Sequence, residues 1–181
     1  MRILSGELKG RNILSLQGIR PVSERVRKSC FDILGSQVKD KKILDLFAGS
    51  GSLGFEAISR GGRECVFIDS QRRVLSVVEK NISCLGLELK TRAYLKDSFQ
   101  AVKDFSMAKA SFDLVFLDPP YYRGMLTKSL QQLGEYDIVS PSGYLVAFCY
   151  QKDPFVDEIG GFSLLVNKNY GQTLLLIYRK D

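Results

Sequence analysis

The chain has 181 residues, 45% of them hydrophobic and 25% charged, which suits one soluble globular domain. No apolar run nears the roughly 20 residues of a membrane-spanning helix, and the start lacks a signal-peptide core, so the expected location is the cytoplasm. The chain has no histidine, and its four cysteines form no CxxC pair; this argues against a zinc or other metal site and against Ser-His-Asp catalysis.

Net charge is +6, and all of it lies early in the chain. Residues 1–42 carry 10 Lys and Arg against 4 Asp and Glu, while the rest carries 16 of each. Residues 2–6 and 11–16 alternate around Lys9-Gly10 and read as a hairpin. Arg20-Pro21 makes an extended step. Ser23 can cap a helix to about Leu34, with Val26, Cys30, Ile33 and Leu34 on one face. Such a basic segment suits a nucleic-acid backbone or, more plainly, a solvated face.

From there strands and helices alternate. Strands are expected at Ile43 to Phe47, Cys65 to Ile68, Lys90 to Leu95, Phe112 to Leu117 and Tyr144 to Cys149. Helices are expected at Ser52 to Arg60, Arg72 to Leu85, Asp97 to about Phe105, and Gly124 to Leu133. A short helix is expected from Pro154 to Ile159, broken by Gly160-Gly161. Phe162 to Val166 and Thr173 to Tyr178 are joined by Asn169-Tyr170-Gly171, too short for a crossover, so they pair as a hairpin. The pattern predicts an α/β fold: a mostly parallel seven-stranded sheet with a C-terminal antiparallel hairpin, plus a small N-terminal hairpin and helix.

Two stretches carry chemistry. The first is Leu44-Asp45-Leu46-Phe47-Ala48-Gly49-Ser50-Gly51-Ser52-Leu53-Gly54, whose glycines satisfy G-x-G-x-x-G. This spacing allows a tight turn and close approach of a ligand to the backbone, and alone it fits a dinucleotide site as well. Asp69 ends the second strand and suits a ribose diol. Asp45 lies inside the first strand end, badly placed for a pyrophosphate and well placed for a sulfonium-bearing amino acid. Asp97 ends the third strand, where it can meet an adenine amine or simply cap a helix. Three carboxylates at successive strand ends favour S-adenosylmethionine over NAD or FAD.

The second stretch is Asp118-Pro119-Pro120-Tyr121, at the end of the fourth strand. Two prolines stop the strand, because neither has an N–H for the ladder. The Asp118 carboxylate and the Pro119 carbonyl can accept both hydrogens of an exocyclic amine, and the Tyr121 ring can stack on the base. A plain Pro-Pro turn with a surface tyrosine is the alternative.

LDLFAGSGSLGFEAISRG, FID at 67–69 and FDLVFLDPPY at 112–121 resemble a Rossmann-like class I S-adenosylmethionine-dependent methyltransferase acting on exocyclic amines. RILSGELKGRNI, RPVSERVRKSCFDIL and YGQTLLLIYRK are similar to one branch, the RsmD-type 16S rRNA guanine-N2 methyltransferases. The resemblance covers nearly the whole chain. It implies a catalytic set of Asp118, Pro119, Pro120 and Tyr121. It implies cofactor contacts from Asp45, Phe47, Gly49, Ser50, Gly51, Asp69, Ser70, Asp97 and Ser98. RNA contacts are expected from Arg2, Lys9, Arg11, Arg20, Arg25 and Lys28. It further implies one domain, with a basic RNA-binding extension at 1–40 and a catalytic core at 41–181. The protein would act as a monomer on 16S rRNA within a partly or fully assembled small ribosomal subunit. The Lys-Asp-Ser context of Asp97 departs from the family pattern, as does the Phe148-Cys149-Tyr150 end of the fifth strand. A DNA or other RNA amino-methyltransferase, acting on adenine N6 or cytosine N4, is the alternative. Others are a nucleic-acid-binding module that kept the cofactor fold without catalysis and an NAD-dependent oxidoreductase.

Overall fold

The computed structural model describes residues 1–16, 18, 21–120 and 124–181. The first helix, α1 (Glu24–Leu34), starts where expected. Ser23 is its N-cap, and its Oγ accepts from the Val26 N–H. A 3₁₀ turn at Gly35–Val38 leads into β1 (Lys42–Asp45), α2 (Ser52–Ser59), β2 (Glu64–Asp69), α3 (Arg72–Leu85), β3 (Thr91–Leu95), α4 (Ser98–Met107) and β4 (Phe112–Leu117). Then come α5 (Met125–Glu135), β5 (Val139–Tyr150), β6 (Glu158–Ile159), β7 (Phe162–Tyr170) and β8 (Thr173–Lys180).

The strands form one sheet in the order β3-β2-β1-β4-β5-β8-β7-β6. The first five run parallel, β8 is antiparallel to β5 and β7, and β6 is antiparallel to β7. The expected α/β architecture is therefore present, with two corrections. The sheet has eight strands, not seven. The segment expected as a helix from Pro154 to Ile159 instead ends in the short edge strand β6. Six residues opened by a proline cannot offset helix nucleation. Gly160 and Gly161, at φ 54° and 80°, form the two-residue turn that pairs Ile159 with Phe162. Two left-handed residues in a row are the signature of a tight hairpin. The C-terminal hairpin also reaches further than expected: Tyr170 pairs with Thr173, which leaves only Gly171 and Gln172 for the turn.

Alternate residues of each strand enter opposite cores. Ile43, Phe67, Leu114 and Phe116 pack against α1, α2 and α3, while Leu44, Val115, Leu117 and Leu145 pack against α4 and α5. The N-terminal segment joins the first core through Ile3, Ile13, Val22 and Val26. Its two arms pair as the expected hairpin, short and irregular: Arg2 bridges Asn12, the Ile3 N–H donates to the Arg11 carbonyl, and Met1 and Ile13 exchange bonds. What holds it is α2. Glu56, fully buried, accepts from the Leu4 N–H at 2.8 Å, the Ser5 N–H at 3.1 Å and Arg60 Nε at 2.8 Å. Arg27, equally buried, lies 4.0 Å from Glu56 and donates to the Arg2 carbonyl at 2.7 Å. Burial pushes the guanidinium's pKa down, and the charges of Glu56 and Glu24 hold it up. The basic stretch thus contains one arginine that faces inward and ties α1 to α2 and to the N-terminal segment. Among the described residues no helix is long and apolar enough to cross a membrane, and no cluster of acidic or sulfur ligands could hold a metal ion.

Candidate active site

A cavity of about 630 Å³ opens at the carboxyl ends of the parallel strands. This is where open α/β sheets bind ligands. Register fixes its geometry. Asp45 pairs with Phe67 of β2 and Phe116 of β4. Asp69 and Asp118 each stand two residues beyond those partners. Asp45 is therefore recessed by about 6.6 Å between two carboxylates that are about 10 Å apart, two strand spacings.

Asp45 is 1% exposed. Its Oδ2 accepts from the Gly54 N–H at 3.2 Å, while Oδ1 is buried with no hydrogen-bond partner among the described residues. Burial holds this carboxyl well above the usual carboxylate range; the Gly54 N–H opposes that, and the charges of Asp118 and Asp69 add to it. A buried acceptor crowded by two like charges is stabilised by a cationic ligand.

The glycine-rich loop wraps this position. Gly51 is the N-cap of α2 at φ 79°, a left-handed conformation. A Cβ on Gly54 would come within 2.3 Å of the Phe67 ring, so only glycine lets α2 lie this close to β2. Asp69 Oδ2 accepts from the Gly49 N–H at 3.1 Å and Oδ1 from the Gln71 N–H at 2.9 Å. Asp69 therefore holds the loop in shape and also lines the cavity. Ser98 Oγ donates to the Leu46 carbonyl at 2.8 Å. Asp97 Oδ1 accepts from the N–H groups of Phe99 and Gln100, both at 3.0 Å, so Asp97 caps α4 as well as lining the cavity.

Of the residues singled out in the sequence, Phe47, Gly49, Ser50, Asp69, Ser70, Asp97, Ser98, Asp118, Pro119 and Pro120 all line this cavity. Gly51 shapes the loop behind the lining, and Asp45 is buried beside it. Tyr121 and Arg20 lie outside the described residues. The basic candidates are dispersed. Arg2, Lys9, Arg11, Arg25 and Lys28 are all exposed. Arg11 donates to the Cys84 carbonyl at 2.7 Å and Lys28 pairs with Asp32 at 2.7 Å. Arg25 lies against Tyr170, a residue of the cavity wall.

Sequence reasoning missed part of that wall. Gln71, Val74 and Met125 line it, as do Pro21, Val22 and Val26 from the α1 region, and Tyr170 and Thr173 from the β7–β8 hairpin. Asn81 was missed too. Its Nδ2 donates to the carbonyls of Leu14 and Ser50, tying the N-terminal segment to the glycine-rich loop. Only a three-dimensional arrangement brings these positions together; Thr173 follows a turn signal, and that signal pointed to a hairpin rather than a site.

The residues present fit S-adenosylmethionine on their donor chemistry. They offer an orphaned buried carboxylate for the sulfonium-bearing end, a glycine loop for close backbone approach, and Asp69 and Asp97 for hydroxyl and amine donors. Residues 1–179 match the family described as Conserved hypothetical protein 95. The chain belongs to this family. The Bacillus subtilis member YlbH, named provisionally as an rRNA methyltransferase, is 33% identical over 182 residues, covering 99% of each chain. The ribosomal RNA small subunit methyltransferase D of Haemophilus influenzae is 28% identical over 181 residues, 99% of this chain and 93% of its own. The solved structure of Escherichia coli yhhF, described provisionally as a methyltransferase, superposes with a TM-score of 0.90 at 27% identity, over 100% of this chain and 98% of that one. An RNA methyltransferase of Salinibacter ruber, solved with S-adenosyl-L-homocysteine, shares the fold at a TM-score of 0.65 and 16% identity, over 88% and 93% of the two chains. The resemblance of the sequence to RsmD-type methyltransferases and the Rossmann-like fold it implied are both borne out.

Proposed function

We propose that the protein transfers a methyl group from S-adenosylmethionine to the exocyclic N2 amine of a guanine in 16S rRNA. It would act as a monomer, within a partly or fully assembled small ribosomal subunit. One observation carries the reading: a single cavity joins the glycine loop, with the orphaned Asp45 buried behind it, to Asp118 and Pro119, one strand away. The names of the family's members support rRNA as the substrate.

Bound here, S-adenosylmethionine supplies a methyl group made electrophilic by a sulfonium. The chain's residues do the rest. Asp45 offers negative charge to the cation, and the loop backbone at Gly49 and Ser50 approaches the amino-acid end. Asp69 accepts from the ribose hydroxyls, and Asp97 accepts from the adenine amine. On the substrate side, guanine N2 is a weak nucleophile because its lone pair is delocalised into the ring. Asp118 and the Pro119 carbonyl accept its two hydrogens and hold the amine out of conjugation, so the lone pair faces the methyl. Positive charge that builds on N2 is met by the Asp118 carboxylate, which takes the proton after transfer. With no histidine in the chain, a carboxylate is the natural proton acceptor. Tyr121 completes the set by stacking on the base. The guanine must be unpaired or flipped out to enter. The basic extension at 1–40, including Arg2, Lys9, Arg11, Arg20, Arg25 and Lys28, steers the RNA backbone to the core at 41–181.

Methyl transfer from labelled S-adenosylmethionine to naked 16S rRNA and to isolated small subunits, followed by mass spectrometry of the nucleosides, tests this. The expected product is N2-methylguanosine. Methylated adenine N6 or cytosine N4 instead would replace the guanine assignment by the amino-methyltransferase alternative, and no transfer to any nucleic acid would overturn the reading.

A further inference from the structure

The cavity does not end at Asp118. Its wall continues across the sheet to Thr173 and Tyr170 and is closed on that side by Pro21, Val22, Ser23 and Val26. Tyr170 ends β7 and, because β8 runs antiparallel between β7 and β5, reaches the same edge of the sheet as Asp118. Its ring is held from the α1 side. The phenol is hydrogen-bonded to Ser29 Oγ, 141 residues away in the chain. The Arg25 guanidinium lies 5.9 Å from the ring centroid.

We infer that Tyr170 and Arg25 form a second nucleotide-binding position, in which the Tyr170 ring stacks on the base next to the target and Arg25 pairs with a phosphate. The inference rests on the proposed RNA substrate and deepens it. Tyr170 stands three strands from Asp118, about 14 Å away, too far to stack on a base whose amine is held at Asp118. It is placed instead for the adjoining nucleotide of a strand entering the cavity. A ring fixed by a hydrogen bond at its far end loses little freedom on stacking, which favours binding. A guanidinium beside an aromatic ring is a common pairing in proteins that hold single-stranded nucleic acid, where the ring takes a base and the cation takes the backbone. A purely structural tie between α1 and the hairpin would need the hydroxyl but no ring at the cavity wall and no cation beside it.

The experiment measures binding of fluorescently labelled single-stranded RNA to the full chain by anisotropy, across a salt series, beside calorimetric S-adenosylmethionine affinity. Tyr170→Ala is expected to weaken RNA binding about tenfold, within the range for loss of one base–aromatic stack. Tyr170→Phe, which keeps the ring and loses the tie to Ser29, should bind within about twofold of the parent. Arg25→Ala should lower the salt slope by about one. Cofactor affinity should stay unchanged in all three. The inference is overturned if Tyr170→Ala binds RNA like the parent. It is equally overturned if Tyr170→Phe and Ser29→Ala both lose as much affinity as Tyr170→Ala, since the hydroxyl tie would then carry the effect. If the parent methylates rRNA while Tyr170→Ala retains parental RNA affinity, this inference fails and the proposed activity stands. If the parent methylates small subunits but binds no single-stranded RNA, this inference fails and the proposed activity stands; if it neither binds RNA nor transfers methyl to any nucleic acid, both fail.

Discussion

The two ends of the cavity are built differently. The end under β1, β2 and β3 is fastened by bonds between the strand ends and the loops that follow them: the Gly54 N–H donates to Asp45, the Gly49 N–H to Asp69, and Ser98 Oγ to the Leu46 carbonyl. Its backbone donors already point at its carboxylates, so it holds its shape before any ligand arrives. The end under β4, β8 and β7 is assembled from distant parts, with Ser29 of α1 meeting Tyr170 of β7. A preformed pocket suits a small ligand of constant shape, the cofactor, whereas a wall made by two separate elements suits a large ligand presented from outside.

The largest expected effect tests whether the two ends are energetically separate. Asp118→Ala should cut turnover by about 10²–10³, as for loss of one group that stabilises developing charge, and leave cofactor affinity nearly intact. Asp118→Asn sharpens this, because the amide keeps an acceptor oxygen and loses the charge. Substantial activity in the Asn variant would make orientation of N2 the dominant contribution, and parental turnover in Asp118→Ala would move the base site elsewhere.

Next comes Asp45. Asp45→Asn should weaken S-adenosylmethionine binding by about 2–3 kcal/mol, the low end for unpairing a buried charge, because the amide still accepts from Gly54. The pH dependence follows from the raised pKa. The unfolded chain releases this proton near pH ~3.9, and the folded apoprotein only at higher pH. Between those values the unfolded state binds fewer protons, so this group's contribution to apoprotein stability falls as pH rises. A cationic ligand favours the carboxylate, so cofactor affinity should rise through the same window with proton release. Calorimetry at several pH values checks this; equal slopes in parent and Asn variant would remove Asp45 from the cofactor site.

Asp69→Ala should cost about 1.5–2 kcal/mol of cofactor affinity, the loss of a hydrogen bond to a charged acceptor. An unchanged affinity in a folded variant would leave Asp69 as a loop support only. The smallest effect concerns the basic segment. Reversing Arg11 and Lys28 to Glu should lower the salt slope of RNA binding by about one for each phosphate no longer neutralised. No change in slope would assign these side chains to the partners they already have, the Cys84 carbonyl and Asp32.

The same contrast explains what the sequence disclosed. Asp45, Gly49, Asp69 and Asp118 were legible because a strand end followed by a glycine loop or a double proline marks the cavity edge within a few residues of chain. Tyr170 was not. The Asn169-Tyr170-Gly171 stretch reads as a turn, and only pairing of Tyr170 with Thr173 puts the ring on the wall. The expected helix before Gly160 failed for a related reason: two glycines stop a helix and also make a hairpin turn, and local pattern does not separate the two. Arg27 counted toward the basic surface in sequence, but Glu56 draws it into the interior.

The position of β8 sets the order in which the molecule can be completed. β5 pairs with β8 and not with β7, so β6 and β7 have no attachment to the rest of the sheet until residues 173–180 have been synthesised. During that interval β5 is an edge strand whose buried residues, Leu145, Ala147 and Cys149 among them, lack their final neighbours. The strands that carry the glycine loop, Asp69 and Asp118 all precede β8 in the chain. The tyrosine wall opposite them comes into being only when β8 inserts between β5 and β7.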